Sequence, residues 1–157
     1  MYNKNLPERM VKISNDILLH HYQEEKGSRS SYLSLLQLRL QENPKDNYGK
    51  MYLMQEYFAQ QKYEDCINFI KENLLKNLFE EEDLLFRPAS YFFLGACYYM
   101  LHDYNKTVTS YKMGIASFPQ YRDNYMALVG LYLDNNNYNE AYDTLKEMQE
   151  NTIRFNS

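Results

Sequence analysis

"YFFLGACYYMLHDYNKTVTSYKMGIASFP", residues 91–119, decides the fold, because "YMALVGLYLDNNNYNEAYDTLKEM", residues 125–148, repeats its signature. Tyr91, Leu94, Tyr98 and Tyr104 recur as Tyr125, Leu128, Tyr132 and Tyr138, each 34 residues further on. Upstream, Leu53, Tyr57 and Tyr63 precede Leu94, Tyr98 and Tyr104 by a constant 41. That is the same period with 7 residues added, placed near "EEEDLLF" at 81–87. The register survives the insertion, since Pro44 and Pro119 each stand 19 residues ahead of Tyr63 and Tyr138. A fixed period of this length marks a stacked array of supersecondary units.

Each unit reads as a pair of antiparallel helices. Tyr98 follows Leu94 by one helical turn, so both face one seam. Gly95 falls where the first helix of the unit crosses its partner, and a missing side chain there lets two backbones approach. That close approach can outweigh the roughly 1 kcal/mol of helix propensity a glycine costs. The short polar break "HD" precedes Tyr104, which can fill the corner where the second helix starts; "QQK" and "DNNN" are the corresponding breaks. In that second helix Val108, Tyr111, Ile115 and Phe118 continue an apolar stripe at helical spacing. A helix pair cannot bury its apolar face alone, so neighbours stack into a right-handed solenoid.

These units resemble tetratricopeptide repeats. Unit 88–121 carries Leu94-Gly95, Tyr98, Tyr104 and Pro119 where the family pattern wants Leu-Gly, Tyr, Tyr and Pro. Unit 122–155 keeps Leu128, Tyr132, Tyr138 and Ala141, and unit 47–80 keeps Leu53, Tyr57 and Tyr63, with Cys66 in place of the usual alanine. A degenerate unit, 13–46, retains Gly27, Leu36 and Pro44. The fold class expected is therefore all-α, an α-α superhelix of tetratricopeptide type over 31–157, with residues 1–30 as a separate N-terminal segment.

Composition agrees and excludes several functions. Of 157 residues, 45% are apolar and 24% charged, which fits one globular domain with a sizeable core. Five glycines and four prolines are too few for an architecture of strands and tight turns. The net charge is −4 with Lys and Arg scattered, so no basic stripe is offered to nucleic acid. No run reaches the length of a membrane span and no signal peptide opens the chain, which makes the cytoplasm the expected compartment. Cys66 and Cys97 are then reduced, buried thiols, and the Asn105-Lys106-Thr107 sequon carries no meaning. Of the 17 tyrosines, eight fall at repeat-defining places and read as structural rather than as a stacking platform for sugars or bases.

Solenoids bind on the concave face lined by the first helix of each pair. In this register unit 47–80 contributes Tyr48, Met51, Gln55, Phe58 and Ala59. Unit 88–121 contributes Ala89, Phe92, Ala96, Tyr99 and Met100, and unit 122–155 Asp123, Met126, Gly130, Leu133 and Asp134. The partner-binding residues expected are Met51, Gln55, Phe58, Phe92, Ala96, Tyr99, Met100, Met126 and Leu133. Such a groove suits an amphipathic helix or hydrophobic peptide, with methionine supplying adaptability. Where one class of these repeats clamps a C-terminal carboxylate with Lys and Asn, this chain has Met51, Gln55, Phe93 and Ala127, which disfavours that function. Burial by a neighbouring element or a second subunit, giving a homodimer, remains the alternative. The last helix, about 138–150, carries Ala141, Leu145 and Met148 with no polar capping helix after it, so a dimer or a continuing chain could cover that end.

Residues 13–48 also resemble the junction in bacterial family 2 glycosyltransferases that carry C-terminal tetratricopeptide repeats. There a strand reading roughly Ile-x-Ile-x-His-x-Gly-Tyr closes the catalytic domain, followed by Lys-x-x-Arg, a Leu-rich helix and Pro-x-Asp. Ile17, His20 or His21, Tyr22, Lys26, Arg29, Leu35-Leu36, Pro44 and Asp46 fit that order, and "YLMQEYFAQQKYEDC" at 52–66 resembles that family's first repeat. The resemblance implies a repeat region that positions a polypeptide acceptor or holds a linked glycosyltransferase in an oligomer. It does not make this chain an enzyme: the glycine before Tyr22 is missing, no Asp-x-Asp is present to hold a metal-bound nucleotide sugar, and no sequence is left for a nucleotide-binding sheet. His20-His21 point to different sides and lack further ligands, and "EEED" at 80–83 reads as a solvated loop or helix extension. No catalytic residue, cofactor or metal site is expected.

Overall fold

The computed structural model describes residues 10–14, 17–20, 29–75 and 85–153. Among the described residues seven helices follow a two-stranded hairpin. In the hairpin β1 (Met10–Ser14) pairs antiparallel with β2 (Ile17–His20), Met10 opposite His20 and Val11 opposite Leu19. The described residues at the start of the degenerate unit 13–46 are therefore strand, where Ile13 and Ile17 favour extended backbone. Its second half is α1 (Arg29–Glu42), with Leu33 and Leu36 buried. Gly27 and the "EEED" stretch lie outside the described residues.

The three remaining units are helix pairs in the expected register. They are α2 (Asn47–Ala59) with α3 (Tyr63–Leu75), α4 (Phe86–Met100) with α5 (Tyr104–Ser117), and α6 (Arg122–Asp134) with α7 (Tyr138–Ile153). The first helices α2, α4 and α6 lie side by side, each also packed on its own second helix. Fold and class are those of a helical-repeat solenoid.

The corner between paired helices is built the same way three times. The N–H groups of Lys62, Asp103 and Asn137 donate to the carbonyls of Tyr57, Tyr98 and Tyr132, while those of Gln61, His102 and Asn136 donate to Phe58, Tyr99 and Leu133. This is the Schellman closure, which needs one left-handed residue just past the helix. Gln61, His102 and Asn136 supply it, each with φ 59°. The next helix then starts from a capped end in α2 and α5. Asp46 accepts from the Gly49 N–H at 2.9 Å and Asp103 from that of Lys106 at 3.1 Å.

Two larger clusters fill the interior. Met54, Cys66, Ile70, Phe86, Leu94 and Cys97 pack together between α2, α3 and α4. Tyr111, Ile115, Tyr125, Leu128, Tyr132 and Ala141 pack between α5, α6 and α7. Among the repeat-defining tyrosines, Tyr98, Tyr125 and Tyr132 are buried and Tyr57, Tyr63 and Tyr91 half-buried, but Tyr104 and Tyr138 are exposed. Tyr138 is the more exposed of the two, and among the described residues no helix packs beyond α7. Asn124, fully buried, ties units together by donating from Nδ2 to the Pro88 carbonyl at 3.0 Å.

Candidate partner-binding groove

The offsets of 41 and 34 place four rows of equivalent residues across α2, α4 and α6. Met51, Phe92 and Met126 form one row; Gln55, Ala96 and Gly130 the next; Phe58, Tyr99 and Leu133 a third; Ala59, Met100 and Asp134 the last. Spacing of 4, 7 and 8 residues along each helix keeps the rows on one face.

Side chains on that face divide into floor and surface. Phe58 is half-buried, its ring edge-on to Tyr63 at 5.5 Å and to Phe93 at 6.2 Å. Phe92 is half-buried too, edge-on to Phe93 at 5.5 Å and tilted against Tyr111 at 6.2 Å. Met51 packs on the first cluster, and Ala96 is half-buried. The surface is Tyr99, Met100, Met126 and Leu133, between 43% and 53% exposed, with Gln55 also exposed. Ala89, by contrast, is 1% exposed and belongs to the core. The middle row shrinks from Gln55 through Ala96 to Gly130, where a Cβ would meet nothing within 4 Å. The groove therefore opens towards α6.

Its electrostatics are simple. Asp134, exposed, is the only formal charge in the four rows, and the helix start beside them holds Arg122 and Asp123, both exposed. Neither aspartate makes an ion pair among the described residues. Burial, then the neighbouring Asp123 carboxylate, pushes the Tyr121 phenol up to about 12. Beneath the floor, burial likewise pushes Tyr111 up to about 12.

At the edge of the groove is a cleft of about 550 Å³ that sequence reasoning missed. Tyr99, Met100 and Asp134 enter it from the groove face, His102 and Tyr104 from the corner. The Tyr99 hydroxyl donates to Asp134 Oδ2 at 3.4 Å, a pair 35 residues apart. One period plus one position is a spacing that could have suggested the contact. A second hollow of about 460 Å³ lies by the second helices, with Lys112 of α5 opposite Glu140, Asp143 and Glu147 of α7.

Among the described residues no three His, Cys, Asp or Glu side chains gather to hold a metal. No helix among them is long and apolar enough to cross a membrane. His20 lies in β2 and His21 outside the described residues.

Fold and groove together define a tetratricopeptide-like helical repeat. Solved structures of similar fold are MamA proteins. MamA of MSR-1 matches with TM-score 0.59 at 19% identity, over 82% of this chain and 70% of that one. A second MamA crystal structure matches with TM-score 0.59 at 19% identity, over 78% and 63%. MamA from residue 41 to its end, from Desulfovibrio magneticus RS-1, gives 0.62 at 10% identity, over 82% and 69%. The chain thus spans between 63% and 70% of these neighbours' lengths, and at such identities the likeness is one of fold. No family model and no curated protein matches the sequence.

Proposed function

We propose that the chain is a non-catalytic interaction module that seats an amphipathic helix of a protein partner along Met51, Gln55, Phe58, Phe92, Ala96, Tyr99, Met100, Met126 and Leu133. The observation that carries this is the repetition of one apolar face on α2, α4 and α6, with four large side chains held half in water. A partner helix would cover them with its own apolar stripe, and the methionines would adapt to it. The void over Gly130 leaves room for a large side chain from the partner.

Exposure decides which variant tests the groove. Phe92 contacts Tyr111 and Phe93, so its replacement disturbs the floor, whereas Met126 is 53% exposed. The experiment is fluorescence anisotropy with a labelled amphipathic helix of about 18 residues bearing Leu and Met on one face. Met126→Glu and Leu133→Glu should abolish binding and leave the melting transition in place. Unchanged binding by both variants would remove the groove from the function.

The position of β2 favours one finer reading. A strand over Ile17–His20 followed by the Leu-rich α1 is the order that the glycosyltransferase junction calls for. In that setting the module would position a polypeptide acceptor or hold the linked enzyme in an oligomer, inside the cell. An immunoblot of source cells tests it: a band tens of kilodaltons above 19.0 kDa supports a linked domain, and a band at that mass rejects it.

A further inference from the structure

The cleft beside Tyr99 and Asp134 differs chemically from the rest of the groove. It lies where the C-terminal ends of α4 and α6, capped at Leu101 and Asn135, come together at the α5 corner. Helix C-termini carry partial negative charge, although at these two ends the corner N–H groups already take the Tyr98, Tyr99, Tyr132 and Leu133 carbonyls. The Asp134 carboxylate adds a full negative charge at the same place and, among the described residues, faces no cation. Tyr99 and Tyr104, 46% and 36% exposed, line the cleft with rings whose faces attract cations, and Met100 lines it with a thioether. The N-terminus of α5 also reaches this corner, but Asp103 already occupies it, accepting from the Lys106 N–H and pairing with its ammonium at 2.6 Å. The only lining side chain able to carry positive charge is His102.

We propose that this cleft is a cation subsite of the groove, and that it takes the guanidinium of an arginine on the partner helix. The assignment rests on the groove reading above and adds the chemistry of its occupant. A guanidinium is planar, so it can lie on a tyrosine ring while its N–H groups meet the Asp134 carboxylate. A cleft of about 550 Å³ holds such a side chain with room for water. The one charge of the groove rows, Asp134, sits at the C-terminal end of α6, so the partner's arginine is expected to lie over that end of α6 and its apolar side towards α2.

The test uses the full chain and three labelled helical peptides with one shared apolar face. Their polar faces carry arginine, its neutral isostere citrulline, or glutamate. Binding is measured at low and high salt. The arginine peptide is expected to bind at least about fivefold more tightly than the citrulline peptide at low salt, with the advantage shrinking in salt. Asp134→Asn is expected to erase that advantage while the citrulline peptide's Kd stays unchanged. Equal Kd values for arginine and citrulline, or equal weakening of both by Asp134→Asn, would overturn the subsite and leave the groove standing. If no peptide binds, or Met126→Glu leaves binding intact, the groove itself falls and the subsite with it. A concentration-dependent dimer dissolved by Leu133→Glu and Asp134→Asn would assign the face to a second copy and likewise overturn the proposal.

Discussion

Gly95 of α4 lies directly beneath the ring of Tyr111 on α5: a Cβ added at Gly95 would stand 2.6 Å from Cδ1 and closer still to Cε1. Neither atom can retreat, because Tyr111 is buried against Phe92 and the second cluster. Gly95→Leu is expected to cost about 1–3 kcal/mol by overpacking, read as a fall in the urea midpoint. Tyr111→Ala in the same chain should relieve part of that cost, giving a non-additive double-mutant cycle. Additive effects would mean that the two helices do not cross at this pair.

Gly130, one period plus one residue further on, is a glycine for no packing reason. A Cβ there meets nothing, and the residue sits inside α6. Gly130→Ala should therefore raise stability by about 0.5–1 kcal/mol through backbone entropy alone. Its measurement is the same denaturation curve, and a loss of stability would place a neighbour over the groove floor.

Gln61 tests the corner. Its φ of 59° is a conformation that glycine adopts freely and that crowds the Cβ of other residues. Gln61→Gly is expected to stabilise the chain by about 0.5–1 kcal/mol despite the greater freedom of the unfolded glycine. Gln61→Val, with a branched Cβ, should destabilise it. The opposite order would show that the α2–α3 corner is not closed in the Schellman manner.

That corner also marks where the sequence stops being legible. Helix pairs, their register and the buried Leu94, Tyr98, Leu128 and Tyr132 followed from spacing, because packing repeats whatever the loops do. The left-handed residue did not, since glycine, its usual sign, is absent from Gln61, His102 and Asn136 alike. Equivalent places also differ for reasons that spacing does not encode. Phe92 and Met126 share one row, yet Phe92 sits on a helix flanked on both sides, by α2 and α6, and Met126 on one flanked by α4 alone among the described first helices. Spacing alone sets which residues share a row, but it does not set the depth of each side chain. Tyr99 and Asp134 both stood among the expected lining, while the cleft they form with the corner depends on how two helix ends converge. The hairpin at 10–20 was hidden for another reason: an apolar run that short suits helix and strand equally.

Asp46 links stability to acid. As the cap of α2 it accepts from the Gly49 N–H and pairs with the Arg39 guanidinium. The Gly49 hydrogen bond, then Arg39, holds its carboxyl below the ordinary 3.8. A depressed folded-state value means that the stabilisation is present above 3.8 and is lost as pH falls through the lower value. Asp46→Asn keeps a capping oxygen but no charge, so its stability should fall less steeply over that acid window. Asp46→Ala, which removes the cap as well, should cost about 0.5–2 kcal/mol at neutral pH. Parallel acid curves for wild type and Asp46→Asn would refute the assignment.

Cys66 and Cys97 approach each other across the interface between the first two clear units, both fully buried in the first cluster. Cys66 donates to the Met54 carbonyl at 3.6 Å. Its hydrogen bond with the Cys97 thiol, then burial, pushes its pKa far above the ordinary thiol range. The folded chain therefore holds Cys66 neutral while the unfolded chain can ionise it. The sign follows from linkage: a raised folded-state value gives stability that is complete below the unfolded thiol value, about 8.5, and eroded as pH climbs beyond it. Urea midpoints measured from neutral to alkaline pH should fall more steeply for the wild type than for the Cys66→Ala, Cys97→Ala double variant, in which no thiol titrates. Iodoacetamide should meanwhile modify neither thiol on mixing with native protein and both at once in denaturant, because both sulfurs are sealed from the reagent until α3 and α4 separate. Rapid native labelling of either cysteine would show that the two units do not stay packed there.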